Sequence, residues 1–215
     1  MSEYEKALTF CGRAHDLNDA VQSKRVQATT LYLMGRIQYS MGKIQQGQEH
    51  LHQALALWRE LGGQREQAET LLFLGYSFAD LSLASEAVAA YTEALRLRRS
   101  AGDRLGEAVT LRALGHIYSN LGEKQNALNY YDDAGQLFQS SGDRVAEAAL
   151  LNVMGQIYLD LGRIETALSY FKRALTSFRE IGVPQAEGIT LVEVARCNYL
   201  LGREKEALDL YQRAL

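Results

Sequence analysis

Apolar and small side chains return along this chain every 40 residues, with no gap or insertion, and each cycle holds two stretches of helical periodicity. In the first, Leu31, Leu71, Leu111, Leu151 and Leu191 are followed three positions on by Met34, Leu74, Leu114, Met154 and Val194, so both sets share one helix face. A glycine comes next, at Gly35, Gly75, Gly115 and Gly155, with Ala195 in the fifth place, and a tyrosine three positions later at Tyr118 and Tyr158. In the second stretch a small residue recurs at Ala7, Gly47, Ala87, Ala127, Ala167 and Ala207, and another at Ala14, Ala54, Ala94, Ala134, Ala174 and Ala214. Between them stands a bulky position: Cys11, Leu51, Tyr91, Tyr131, Phe171 and Tyr211. Glycine inside a helix costs roughly 1 kcal/mol against alanine, so a recurring one predicts that a partner helix comes close. Self-similarity at one period predicts an all-α stack of a single helix-pair unit, whose apolar face only its neighbours can bury.

The polar punctuation has the same period. One helix runs to a glycine corner, such as LG at 121–122 or 161–162, and a second runs to a turn, such as AGD at 101–103 or SGD at 141–143. Gly102 and Gly142 suit the left-handed position that ends a helix, and Asp103 and Asp143 can cap the next one. At Gly182-Val183-Pro184 the cap oxygen is gone, but proline takes the first helical position, where no intrahelical N–H bond is lost. The chain opens on a second-type helix, with Ser2 and Glu5 reading as a capping box and a boundary between Leu17 and Gln22. The expected division is one array over 1–215: a partial unit at 1–27, full units at 28–67, 68–107, 108–147 and 148–187, and a shortened one at 188–215. Both ends read as cut from a longer array, and apolar Leu8, Phe10, Leu208 and Tyr211 there predict end-to-end self-association.

Composition narrows the function classes. At 47% hydrophobic and 23% charged, with one proline, the chain can bury a continuous core. A formal charge of -3 gives no basic surface for nucleic acid, and no base-reading code is visible for an RNA-binding repeat. No apolar run approaches the ~18 residues of a membrane span, and the start, MSEYEKALTF, lacks a signal-peptide pattern, so a cytoplasmic location is expected. Two cysteines make no disulfide framework.

The motif L-x-x-L-G-x-x-Y followed by A-x-x-x-Y-x-x-A resembles the tetratricopeptide repeat over nearly the whole chain. That unit is usually about 34 residues; here six more fall at the junction between units. The longer form, with G-D-R-x-x-E-A at 102–108 and 142–148, is similar to kinesin light chain and spindle-orientation adaptor repeats. It is closer still to bacterial arrays beside caspase-like peptidase or signalling ATPase domains. The resemblance implies a right-handed α-solenoid of antiparallel helix pairs, whose first helices (A) line a concave groove and whose second helices (B) back them. It implies a scaffold that binds a protein or peptide, or else a regulatory arm of a larger peptidase or ATPase. Carried over by position, the groove residues are Arg36, Tyr39, Tyr76, Arg112, His116, Asn120, Asn152, Gln156 and Arg196, which favour an acidic, partly hydrophobic segment.

No catalytic constellation stands out from residues the repeat already explains, so no enzyme activity, cofactor or metal site is expected. Cys11 and His15 are one helical turn apart, but Cys11 falls in the core register, as does Cys197. His50 and His52 point to nearly opposite sides of a helix. Arg96, Arg98, Arg99, Arg104 and Arg112 are expected to form a solvated basic face.

Overall fold

The computed structural model of the protein describes residues 3–214, apart from the side chains of residues 19–21. Among the described residues there are eleven α-helices and no strand. They are α1 (Glu3–Val21), α2 (Lys24–Ser40), α3 (Ile44–Leu61), α4 (Gln64–Asp80), α5 (Ala84–Ser100), α6 (Arg104–Asn120), α7 (Lys124–Ser141), α8 (Arg144–Asp160), α9 (Ile164–Ile181), α10 (Pro184–Leu200) and α11 (Glu204–Ala214). Even-numbered helices are the A type and odd-numbered ones the B type. Ser2, the first residue of the capping box assigned with Glu5, lies outside the described residues.

Each helix from α1 to α10 is followed by a residue with positive φ. Gly42, Gly62, Gly102, Gly122, Gly142, Gly162, Gly182 and Gly202 all have φ between 65° and 80°. The one corner without glycine uses Ser82 at φ 60°, which the sequence pattern did not flag. Asp103 and Asp143 cap as expected, accepting from the backbone N–H of Gly106 and Ala146, each at 3.0 Å. The first boundary falls at the far end of its expected range, with Gln22 at φ 53° after α1.

The residues group into two compact units, Met1–Ile117 and Tyr118–Leu215. In the first, α2 packs on α3 and α4 on α5, with α3 also against α4; in the second, α8 packs on α9 and α10 on α11, with α9 also against α10. Both cores are built from the predicted sets. Leu31, Leu71, Leu111, Leu151 and Leu191 are 9% exposed or less, and the alanines at 54, 94, 134 and 174 are fully buried. The recurrent glycines sit where a B helix presses in. A Cβ on Gly75 would lie 2.3 Å from the ring of Tyr91, and one on Gly155 would lie 2.8 Å from that of Phe171. At the α2/α3 crossing both partners are glycine, and a Cβ on Gly47 would stand 2.8 Å from the carbonyl oxygen of Gly35. Each large side chain buried this way contributes roughly 1.5 to 3 kcal/mol, more than the helix penalty of the glycine that admits it.

Candidate functional site

In the unit Met1–Ile117, the A helices α2 and α4 are joined by a line of aromatic rings. Phe73 meets Tyr32, Tyr39 and Tyr76 edge-on, with centroids 6.0, 6.3 and 5.7 Å apart, and Tyr76 meets Tyr91 of α5 at 5.8 Å. The guanidinium of Arg36 lies over Phe73 and Tyr32, at 4.6 and 5.3 Å from the ring centroids. Hydroxyl groups tie the cluster to two carboxylates: Tyr32 donates to Glu69 at 2.6 Å, and Tyr39 donates to Asp80 at 2.8 Å. Burial, reinforced by these carboxylates, pushes both phenols far above their usual pKa, so they stay protonated donors. Arg36 itself stands 4.0 Å from Glu69. Burial also raises the Tyr76 phenol, against the pull of Arg112 and Arg98 beside it. Of the expected site residues in this unit, Arg36, Tyr39 and Tyr76 are thus joined through Phe73, Arg112 connects through Tyr76, and His116 is exposed one turn further along α6. Tyr32 and Leu72, at 8% and 5% exposure, belong to the core and not to the open face.

In the unit Tyr118–Leu215 the corresponding face is more polar. Lys124 and Gln156 both donate to Asp160, at 2.6 and 2.8 Å, and these bonds hold its carboxyl below the ordinary carboxylate range. Asn152 donates to Thr190 at 2.8 Å, while its own oxygen is buried without a hydrogen-bond partner. Arg196 lies 3.7 Å from Glu193 on its own helix. Asn120 and Tyr199 are exposed.

Of the basic cluster, Arg96, Arg99 and Arg104 are exposed and Arg112 is half-buried, but Arg98 departs from the expectation. Arg98, expected on a solvated face, is 6% exposed. It occupies the register of Trp58, Phe138 and Phe178, all buried aromatics, and donates to the carbonyl of Gly106 with Asp103 at 4.0 Å. Its Nε is buried without a hydrogen-bond partner, and burial lowers its pKa. The sequence carried a signal for this, since Gly106 stands where the other units have Glu66, Ala146 and Ala186. A Cβ there would lie 2.2 Å from the Asp103 carboxylate. Cys197 is fully buried, as its register implied, and Cys11 is half-buried. Among the described residues no three His, Cys, Asp or Glu side chains gather as a metal site would require, and no helix is long and apolar enough to cross a membrane.

Helix pairs at a fixed period, glycine at the crossings and an A-helix face of aromatic and polar side chains define a class of helical-repeat protein. The chain belongs to the tetratricopeptide repeat family, whose profile matches residues 26–100, 66–140 and 144–215. No curated protein sequence matches it. Among solved structures it is similar to BtubC (BKLC) from P. vanneervenii, with 16% identity over 100% of this chain and 90% of that one, at a TM-score of 0.86. A Signal Transduction ATPase with Numerous Domains from Pyrococcus horikoshii, described as having a tetratricopeptide repeat sensor, gives 15% identity and a TM-score of 0.84. That similarity covers 98% of this chain and 33% of the ATPase. A Rap protein complexed with Competence and Sporulation Factor gives 16% identity and 0.76, over 98% of this chain and 63% of its own. At these identities the likeness is one of fold.

Proposed function

We propose that the chain is a non-enzymatic interaction module that holds a segment of a protein partner against the exposed faces of its A helices. The observation that carries this reading is the Arg36 cluster. Its rings and guanidinium are fixed by one another before any ligand arrives, so little side-chain entropy remains to be lost on binding. An arginine whose guanidinium lies over a ring still has N–H groups to offer a carboxylate in pairs, a geometry that lysine does not reproduce. The two acidic side chains nearby are already engaged by Tyr32 and Tyr39. A short, acidic and partly hydrophobic segment fits that arrangement, with Arg112 and His116 extending it along α6. The Rap protein complexed with a factor supports a ligand-holding role for this fold. The ATPase with a repeat sensor supports a second reading, in which the array is the regulatory arm of a larger signalling enzyme.

A display library of random peptides panned against the 215-residue chain tests the first reading. The expected enrichment is Asp or Glu beside aliphatic or aromatic residues, with binding that falls as salt rises. Replacing Arg112 and His116 together by alanine is expected to weaken a selected peptide by about tenfold, and Arg36→Ala by a similar factor, without loss of helicity. Peptides that bound these variants as tightly as the parent would move the site off the A helices.

A further inference from the structure

Among the four full units, the second B-helix alanine is followed by a leucine in three: Leu55, Leu95 and Leu175, at 4%, 7% and 6% exposure. In the fourth the residue is Gly135. The space the leucine would fill is open, a cavity of about 170 Å³ between α7 and α9 with α8 as its floor. Close approach does not explain this glycine, since a Cβ would meet only Leu150, at an ordinary contact distance of 3.4 Å. It therefore differs from Gly75 and Gly155, where a neighbouring ring takes the room. The cavity floor is apolar, formed by Leu150, Leu151 and Met154, all buried. Its mouth carries Asp132, Glu147 and Arg173. The guanidinium of Arg173 lies 5.5 Å from the centroid of the Tyr170 ring, and two carboxylates outnumber it. Neither carboxylate makes an ion pair among the described residues, and partial desolvation with Asp133 next to it holds the Asp132 carboxyl above the usual range.

We propose that this cavity is a binding site for a branched aliphatic group carrying a cation, the aliphatic part replacing the missing leucine and the ammonium or guanidinium lying between Asp132 and Glu147. The aliphatic part matches because the other units show which side chain packs in this place. The cation matches because the mouth has an excess of carboxylate with no partner of its own.

Two sources carry such a group: a free branched amine, or a leucine beside a lysine in a partner segment. Chemical shifts of isotope-labelled methionine methyls test both, because Met154 is one of four methionines and lines the cavity. The full chain is titrated with 3-methylbutylamine, with a capped Leu-Lys dipeptide amide, and with 3-methylbutanoate as the anionic control. The Met154 signal is expected to shift and saturate at millimolar amine, to respond about tenfold more weakly in Asp132→Asn, and to ignore the butanoate. Tighter binding of the dipeptide identifies a protein segment as the source, and binding of the amine alone identifies a small molecule. Gly135→Leu is expected to raise the melting temperature by about 2 to 4 °C and to abolish the shift; Gly135→Ala, should the leucine variant misfold, is expected to reduce it. A Met154 signal unmoved by either cation up to about 20 mM, or moved equally by the butanoate or in Gly135→Leu, would overturn the proposal.

Discussion

Gly75 and Gly135 are both helical glycines, and they answer to different physics. Gly75 makes room for Tyr91, so Gly75→Ala is expected to cost about 1 to 3 kcal/mol through overpacking, despite alanine's better helix propensity. Denaturant melts of the variant check this, and a gain in stability would contradict the crossing geometry. Arg98 makes a second contrast. Asp103 and Asp143 cap equivalent helices with bonds of the same length, but only Asp103 also stands near a buried cation. Asp143→Ala is expected to cost about 1 kcal/mol, the usual value of a cap. Asp103→Ala is expected to cost more by about 1 to 3 kcal/mol, because it removes the carboxylate that acts most strongly on the buried Arg98, leaving only the weaker influence of Glu69. Equal losses in the two variants would mean that the Arg98 to Asp103 contact contributes nothing. Arg98→Phe with Gly106→Ala, which supplies the residues of the next unit, Phe138 and Ala146, is expected to be neutral or stabilising.

Between elements, hydrogen bonds and ion pairs link helices whose spacing the repeat dictates. Lys124 on α7 and Gln156 on α8 meet at Asp160, whose folded pKa is lowered chiefly by those two bonds. A carboxyl with a depressed folded pKa adds stability above its unfolded value, near 4, and that contribution disappears as pH falls through the folded value. The melting temperature of Asp160→Asn is therefore expected to drop less than the parent's between pH 7 and about pH 3; an identical drop would show the bonds to be without net effect. The helices, their caps and their crossings were legible in the sequence because each depends on local chemistry repeated at a fixed interval. Ser82 escaped notice because its corner keeps the backbone shape without the glycine that signals it. The tie of Tyr39 to Asp80 escaped because it joins neighbouring A helices, and their separation depends on the packed B helix between them. The departures at Arg98 and Gly135 were visible as breaks of register, but whether a break becomes a buried charge or a cavity depends on the volume around it.

For the molecule as a whole, the two cysteines report on different units. Desolvation, with Glu193 nearby, pushes the Cys197 thiol up to about 11, and it is fully buried in Tyr118–Leu215. Cys11 is half-buried in Met1–Ile117. Burial also pushes the Cys11 thiol up, so alkylation near neutral pH is expected to modify Cys11 slowly but well ahead of Cys197, which reacts only at the rate at which its own unit opens, as mass spectrometry of timed samples would show. Equal rates for both would contradict the packing of α10. The positive-φ residue at every twentieth position has a wider consequence. Because each junction presents a positive-φ residue to the helix that follows, excising one 40-residue stretch from turn to turn joins two ends of similar geometry. Stability would change by one unit and one interface, with no helix asked to adopt a new conformation. Recombination between such stretches can therefore lengthen or shorten the gene in steps of one period while every product still folds, and the number of units becomes a trait open to selection in its own right.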